Sequence, residues 1–128
     1  MRLQSPRNGD RISDQVLGFY VLDPTTSSQL ILGPFHGGVA CQTIAFSRGV
    51  CGLAASSQTS QVIKDVDAFP GHIACDSASK SEVVVPIVVS GITVGVIDID
   101  CAEVNGFDEI DGRELEKLAR LLGDGCNW

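Results

Sequence analysis

The strongest constraint on this chain lies in residues 82–100. Glu82 to Val89 is a β-branched run, Ser90-Gly91 is a turn pair, and Ile92 to Asp100 is a second run of Ile, Thr, Val and Gly. β-branched side chains favour the pleated backbone, and strands apolar on both faces belong in the middle of a sheet. The segment therefore predicts an antiparallel hairpin with buried central strands. A second hairpin is expected over 15–32. There Gln15 to Leu22 alternates weakly, Asp23-Pro24-Thr25-Thr26-Ser27-Ser28 is a turn cluster, and Gln29 to Leu32 is a strand. Gly33 to Gly38 reads as a loop, Val39 to Phe46 as a third strand, Val50 to Ser57 as a short helix and Val62-Ile63 as a brief strand. Phe107 to Leu122 reads as a closing amphipathic helix. Asp108 is its cap, Leu115, Leu118, Ala119 and Leu122 form its buried stripe, and Gly123 is its stop. Hairpins and a terminal helix imply an α+β domain on an antiparallel sheet.

At 128 residues the chain has room for one domain. Residues 1–14 read as a polar leader and 15–128 as the domain. Nine Lys and Arg against 16 Asp and Glu leave a net charge of −7. That disfavours nucleic acid and anionic membranes as partners, since both select basic patches. The acid is concentrated in the second half. Residues 1–64 hold five basic and three acidic groups, net +2, and residues 65–128 hold four and 13, net −9. A charged site would therefore select something cationic. The longest apolar run, Val83 to Val89, is seven residues and contains Pro86, far short of the roughly 20 that cross a bilayer as a helix. The N-terminus has no apolar core, so no signal peptide is expected and the chain reads as cytoplasmic. Thiols stay reduced there, which favours free, catalytic or metal-binding roles for the five cysteines.

Cys75 lies in Gly71-His72-Ile73-Ala74-Cys75-Asp76-Ser77, part of a long aperiodic stretch from Asp65 to Ser81. A thiol among small polar residues tends to be exposed and reactive, and His72 stands three residues away. Cys41, on a predicted strand, and Cys51, opening the short helix, both suit small core positions. A helix N-terminus also lowers a thiol pKa, which favours a role for Cys51. Cys101 and Cys126 read as incidental. No C-x-x-C pair is present, so no metal site is expected. Asp98 and Asp100 point to one side of their strand, and the hairpin brings Glu82 beside them. Three converging carboxylates are a solvated strand end, a metal site or a receptor for an ammonium group.

Seven stretches also stand out together: Gly33-Pro34-Phe35, Ala40-Cys41, Arg48-Gly49-Val50-Cys51-Gly52, Asp65-Val66, Gly71-His72-Ile73-Ala74-Cys75-Asp76, Ser81-Glu82-Val83-Val84-Val85-Pro86 and Gly95-Val96-Ile97-Asp98-Ile99-Asp100. In this order they closely resemble the free methionine-(R)-sulfoxide reductases, a family of GAF-fold enzymes, over about Gly18 to Leu122. The resemblance implies a GAF-like central antiparallel sheet of about six strands flanked by helices. It implies Cys75 as nucleophile, Cys41 as resolving thiol and Cys51 as a third thiol in disulfide exchange. Glu82, Asp98 and Asp100 would bind substrate, and Tyr20 would be a pocket aromatic. Crowded carboxylates raise one another's pKa, so Glu82 is the expected acid, with Asp98 and Asp100 holding the substrate ammonium. No cofactor is implied beyond an external dithiol, thioredoxin by analogy. Two features depart from the family. Val16 stands where a tryptophan precedes the Gly-Phe-Tyr motif, and the family's N-terminal helix is shortened or absent. One sheet face would then be bare unless a second copy covers it as a homodimer. The alternative is a non-catalytic GAF module that senses an amine-bearing ligand or redox state.

Overall fold

The computed structural model describes residues 15–36, 41–71, 79–126 and Trp128, with Gln15 and Val16 described at the backbone only. The elements are β1 (Gln15–Asp23), β2 (Thr26–His36), β3 (Thr43–Ala45), α1 (Gly49–Ser57), β4 (Gln61–Ile63), a 3-10 turn (Val66–Ala68), β5 (Ser81–Val89), β6 (Ile92–Cys101) and α2 (Glu109–Gly125). The six strands form one antiparallel sheet in the order β3-β2-β1-β6-β5-β4.

The 82–100 hairpin is central, as its composition requires. Ser90 and Gly91 both take positive φ, 53° and 80°, the backbone of a two-residue turn that matches strand twist. Strand β5 tolerates Pro86 because β4 accompanies it only as far as Val84, leaving no outer ladder there to break. Odd-numbered residues of the hairpin face α2. Val83, Val85, Ile87, Ile97 and Ile99 bury against Leu115, Ala119 and Phe107. Even-numbered residues face the other way. Val84 and Val96 join Tyr20, Leu30, Ile44 and the α1 residues Val50, Cys51, Ala54 and Ala55.

Four expectations are corrected. Strand β2 starts at Thr26 and runs through Gly33-Pro34 to His36, where a loop was expected. Gly18 pairs with Phe35 and Tyr20 with Leu32, so residues 33 and 34 together oppose Phe19. That is a bulge, the position in a sheet where proline is accommodated. Strand β3 is shorter than the expected 39–46 because it pairs only with Gln29–Ile31; residues 37–40 lie outside the described residues. A 3-10 turn interrupts the aperiodic stretch at 66–68, where the Asp65 carboxylate accepts the Asp67 amide. Finally, Gly123 does not stop α2, which continues to Gly125. A Cβ on Gly123 would sit 3.3 Å from the Val89 side chain, so this glycine serves close helix-on-sheet approach. Asp108 caps α2 as expected, accepting the Ile110 and Asp111 amides, and Asp111 completes a capping box. Among the described residues, no helix is long and apolar enough to cross a membrane.

Candidate active site

The site forms at one end of the face opposite α2. Sheet register puts Glu82 directly across from Asp100, and Asp98 across from Val84. On the other side of β6, Asp98 faces Gly18 and Asp100 faces Val16 of β1. Tyr20 stands one pair further along, opposite Val96. Glu82, Asp98, Asp100 and Tyr20 therefore share a face, the convergence expected from alternation alone.

Helix α1 delivers Cys51 to the same place. It begins at Gly49 with a positive φ of 68° and has no side-chain cap at Arg48. A Cβ on Gly52 would meet the Ala45 and Phe46 carbonyl oxygens at 2.6 and 2.9 Å. Only glycine lets the helix settle this close to the end of β3, and that seats Cys51 over the carboxylates. The Cys51 Sγ and a carboxylate oxygen of each of Glu82 and Asp98 all lie within 4.8 Å of one another, and all three residues are buried.

Burial controls the protons here. Desolvation lifts Glu82 from an ordinary 4.5 to about 8; its hydrogen bond with Asp98 offsets part of this and the charge of Asp100 adds to it. Glu82 is thus a carboxylic acid, not a carboxylate, at neutral pH. Desolvation, then Asp98, Glu82 and Asp100, push the Cys51 thiol well above its ordinary value. This overturns the helix-terminus expectation of a lowered pKa, because the dipole of a two-turn helix is outweighed by complete burial beside carboxylates. Cys51 is a thiol that donates to Asp98 rather than a free nucleophile. The Tyr20 hydroxyl is likewise raised, first by burial and then by Asp98. The Cys51, Glu82 and Asp98 donor atoms lie close enough together to reach one cation, which would have to displace the protons that burial keeps on Cys51 and Glu82.

Cys41 is half-buried beside this cluster. The Tyr20 hydroxyl donates to its backbone carbonyl at 3.1 Å. Cys41 is disulfide-bonded, whereas Cys51, Cys101 and Cys126 are free. Cys75 and His72 lie outside the described residues. Sequence reasoning missed Ser79, whose hydroxyl donates to Asp100 Oδ1 at 3.0 Å. Ser79 precedes β5 and shares no periodicity with the carboxylates, so no pattern in the sequence marked it.

An antiparallel six-stranded sheet with one helix on each face, and a polar cluster at one end, defines a GAF-type ligand-binding or catalytic domain. The GAF domain family model matches residues 10–125. The free methionine-R-sulfoxide reductase of Saccharomyces cerevisiae is 56% identical over 110 residues, 85% of this chain and 61% of the yeast protein. The free methionine-R-sulfoxide reductase of Neisseria meningitidis, solved in complex with its substrate, is 47% identical with a TM-score of 0.82, covering 85% of this chain and 65% of that one. The reduced form of the Staphylococcus aureus fRMsr is 45% identical with a TM-score of 0.78, covering 85% and 69%. The chain belongs to the free methionine-R-sulfoxide reductase family of GAF domains. It spans about three fifths of the length of the yeast relative, 61%.

Proposed function

We propose that this chain reduces free methionine-(R)-sulfoxide to methionine by thiol chemistry. The observation that carries this reading is Glu82, a buried acid that keeps its proton to about pH 8 among two further carboxylates. Reduction of a sulfoxide needs such a group, because the oxygen leaves sulfur only as it gains protons. The names of the relatives, and the substrate bound to the Neisseria protein, support the same substrate here.

In the proposed cycle the Cys75 thiolate attacks the sulfoxide sulfur while Glu82 protonates the oxygen. In the adduct the protonated oxygen passes from the methionine sulfur to Cys75 Sγ as the new sulfur–sulfur bond breaks, which releases methionine and leaves Cys75 as a sulfenic acid. The sulfoxide sulfur is reduced by two electrons and Cys75 is oxidised by two. The Cys41 thiol then displaces water from the sulfenic acid to form a Cys41–Cys75 disulfide. An external dithiol of the thioredoxin type reduces that bond and is itself oxidised to a disulfide. A disulfide on Cys41 suits this oxidised stage. Asp98 and Asp100 would hold the substrate ammonium, a charge that methionine within a peptide lacks. Cys51, buried and protonated, would enter only through disulfide exchange.

The test is methionine release from each sulfoxide epimer, with dithiothreitol as reductant. Turnover of the R epimer, abolished by Cys75→Ser, is the expected result. Full activity in Cys75→Ser would overturn the mechanism. Val16, opposite Asp100 where the family carries tryptophan, favours a second reading in which the pocket senses an amine-bearing ligand. That reading requires ligand-dependent thermal stabilisation with no methionine formed.

A further inference from the structure

We infer that Ser79 is a positioning residue for substrate binding, acting through Asp100. The inference deepens the reading above and rests on it. Ser79 is 9% exposed, and its hydroxyl donates to Asp100 Oδ1 at 3.0 Å. Its own position is held by the neighbouring backbone. The Lys80 amide donates to the Cys101 carbonyl at 2.8 Å, and the Lys80 carbonyl accepts the Val66 amide at 2.9 Å. Next in sequence, the Ser81 hydroxyl donates to the Glu103 carbonyl and accepts the Gly106 amide. Three consecutive residues are thus tied to the end of β6, the turn after it and the 3-10 segment. The Ser79 hydroxyl is aimed at Asp100 by a rigid frame.

The aim has a chemical consequence. Glu82 and Asp100 are cross-strand neighbours. An ammonium group needs an anion to receive it. A hydroxyl donor stabilises the ionised form of a carboxylate and disfavours the protonated one. Ser79 therefore favours the charged form of Asp100 and fixes the direction in which Asp100 presents its charge.

The experiment is steady-state kinetics on free methionine-(R)-sulfoxide for wild type, Ser79→Ala, Ser79→Gly and Ser79→Thr. Each is repeated in an Asp100→Asn background, with melting temperatures for all. Ser79→Ala and Ser79→Gly should raise KM roughly tenfold with kcat within about twofold, and Ser79→Thr should restore KM. In the Asp100→Asn background, removal of the hydroxyl should add little, because the two act as one unit. An unchanged KM in folded Ser79→Ala or Ser79→Gly would overturn the inference. So would a KM increase that persists undiminished without the Asp100 carboxylate, or one that Ser79→Thr fails to restore. Free methionine titrated calorimetrically separates the two levels. If wild type shows no turnover, the catalytic reading fails. Ser79 then stands if methionine binds wild type more tightly than Ser79→Ala, and falls if it does not.

Discussion

The two faces of the β5–β6 hairpin are built from the same strands and differ in chemistry: both bury an apolar cluster, but only the face beneath α1 adds carboxylates at one end. Beneath α2, Val83, Val85, Ile87, Ile97 and Ile99 meet Leu115 and Ala119 in an apolar layer. Beneath α1, the intervening residues include Glu82, Asp98 and Asp100 with Cys51 above them. Along β6, Asp98 and Asp100 are each one residue from an isoleucine that is almost fully buried. A one-residue slip would drive the carboxylates into the apolar layer. The face beneath α2 is apolar along its length and fixes the register, while the face beneath α1 adds an apolar cluster around Val84 and Val96 beside the carboxylates. The face beneath α1 can then hold groups whose burial opposes folding. In β5 and β6, the layer that fixes the register and the chemistry are separated by the pleat of a single sheet rather than by distance along the chain.

The sharpest way to break this division is Glu82→Gln. On the proposed mechanism it removes the acid, and the rate should fall by about 10²- to 10⁴-fold. The fold should not suffer, because glutamine is neutral where glutamic acid already was. Its stability should also lose the part of the pH dependence that Glu82 contributes. Glu82 rises from 4.5 in an ordinary setting to about 8 in the folded chain. Between these values the folded chain binds a proton that the unfolded chain releases. The Glu82 contribution to stability is therefore fullest below about 4.5 and declines as pH rises to about 8. The loss should be on the order of a few kcal/mol, given about 1.4 kcal/mol per unit. Urea melts of both proteins at pH 5 and pH 8 check this. Parallel pH dependences would mean that Glu82 is not the group that carries the proton.

The complementary change is Leu115→Ala on the face beneath α2. Leu115 is 1% exposed, so truncation should cost about 2–5 kcal/mol through lost burial and the cavity left behind. Activity per folded molecule should stay near wild type. The measurement is a denaturant midpoint set beside kcat below the transition. A large fall in kcat at full folding would show that the two faces are not independent.

How far this division could be read from sequence depends on what set each element. The hairpin was legible because β-branched runs, a two-residue turn and period-two alternation all point to one pairing. That pairing alone brought Glu82 to Asp100. Helix α2 was legible from its apolar stripe and its Asp108 cap. Strand β2 was underread because Gly33-Pro34 looks like a break locally, yet the sheet absorbs both residues in a bulge opposite Phe19. Gly123 misled for the related reason that a glycine chosen for contact resembles one chosen for a turn. Cys51 shows the deeper limit. Its place near a helix N-terminus is local and visible, but its protonation follows from burial and from carboxylates on β5 and β6. Ser79 could not be read at all, since its partner depends on the path of the chain into β5.

The smallest predicted effect tests how the face beneath α2 is assembled. The Asp108 carboxylate accepts the Ile110 and Asp111 amides, each at 3.0 Å, and the Asp111 carboxylate returns a bond to the Asp108 amide at 3.0 Å. These bonds satisfy donors that an uncapped first turn would leave open, and they put negative charge at the positive end of the helix dipole. Phe107, immediately before, is 2% exposed in the same apolar layer as Leu115, so the cap also sets the angle at which α2 reaches the sheet. Asp108→Ala should lower stability by about 1 kcal/mol, a shift of a few degrees in Tm. Asp108→Ser, which keeps an acceptor, should recover most of it. The site face should not respond: KM and kcat should match wild type below the transition. A change in KM would mean that the seating of α2 is transmitted through β5 to Glu82, and that the pleat insulates the chemistry less completely than the packing implies.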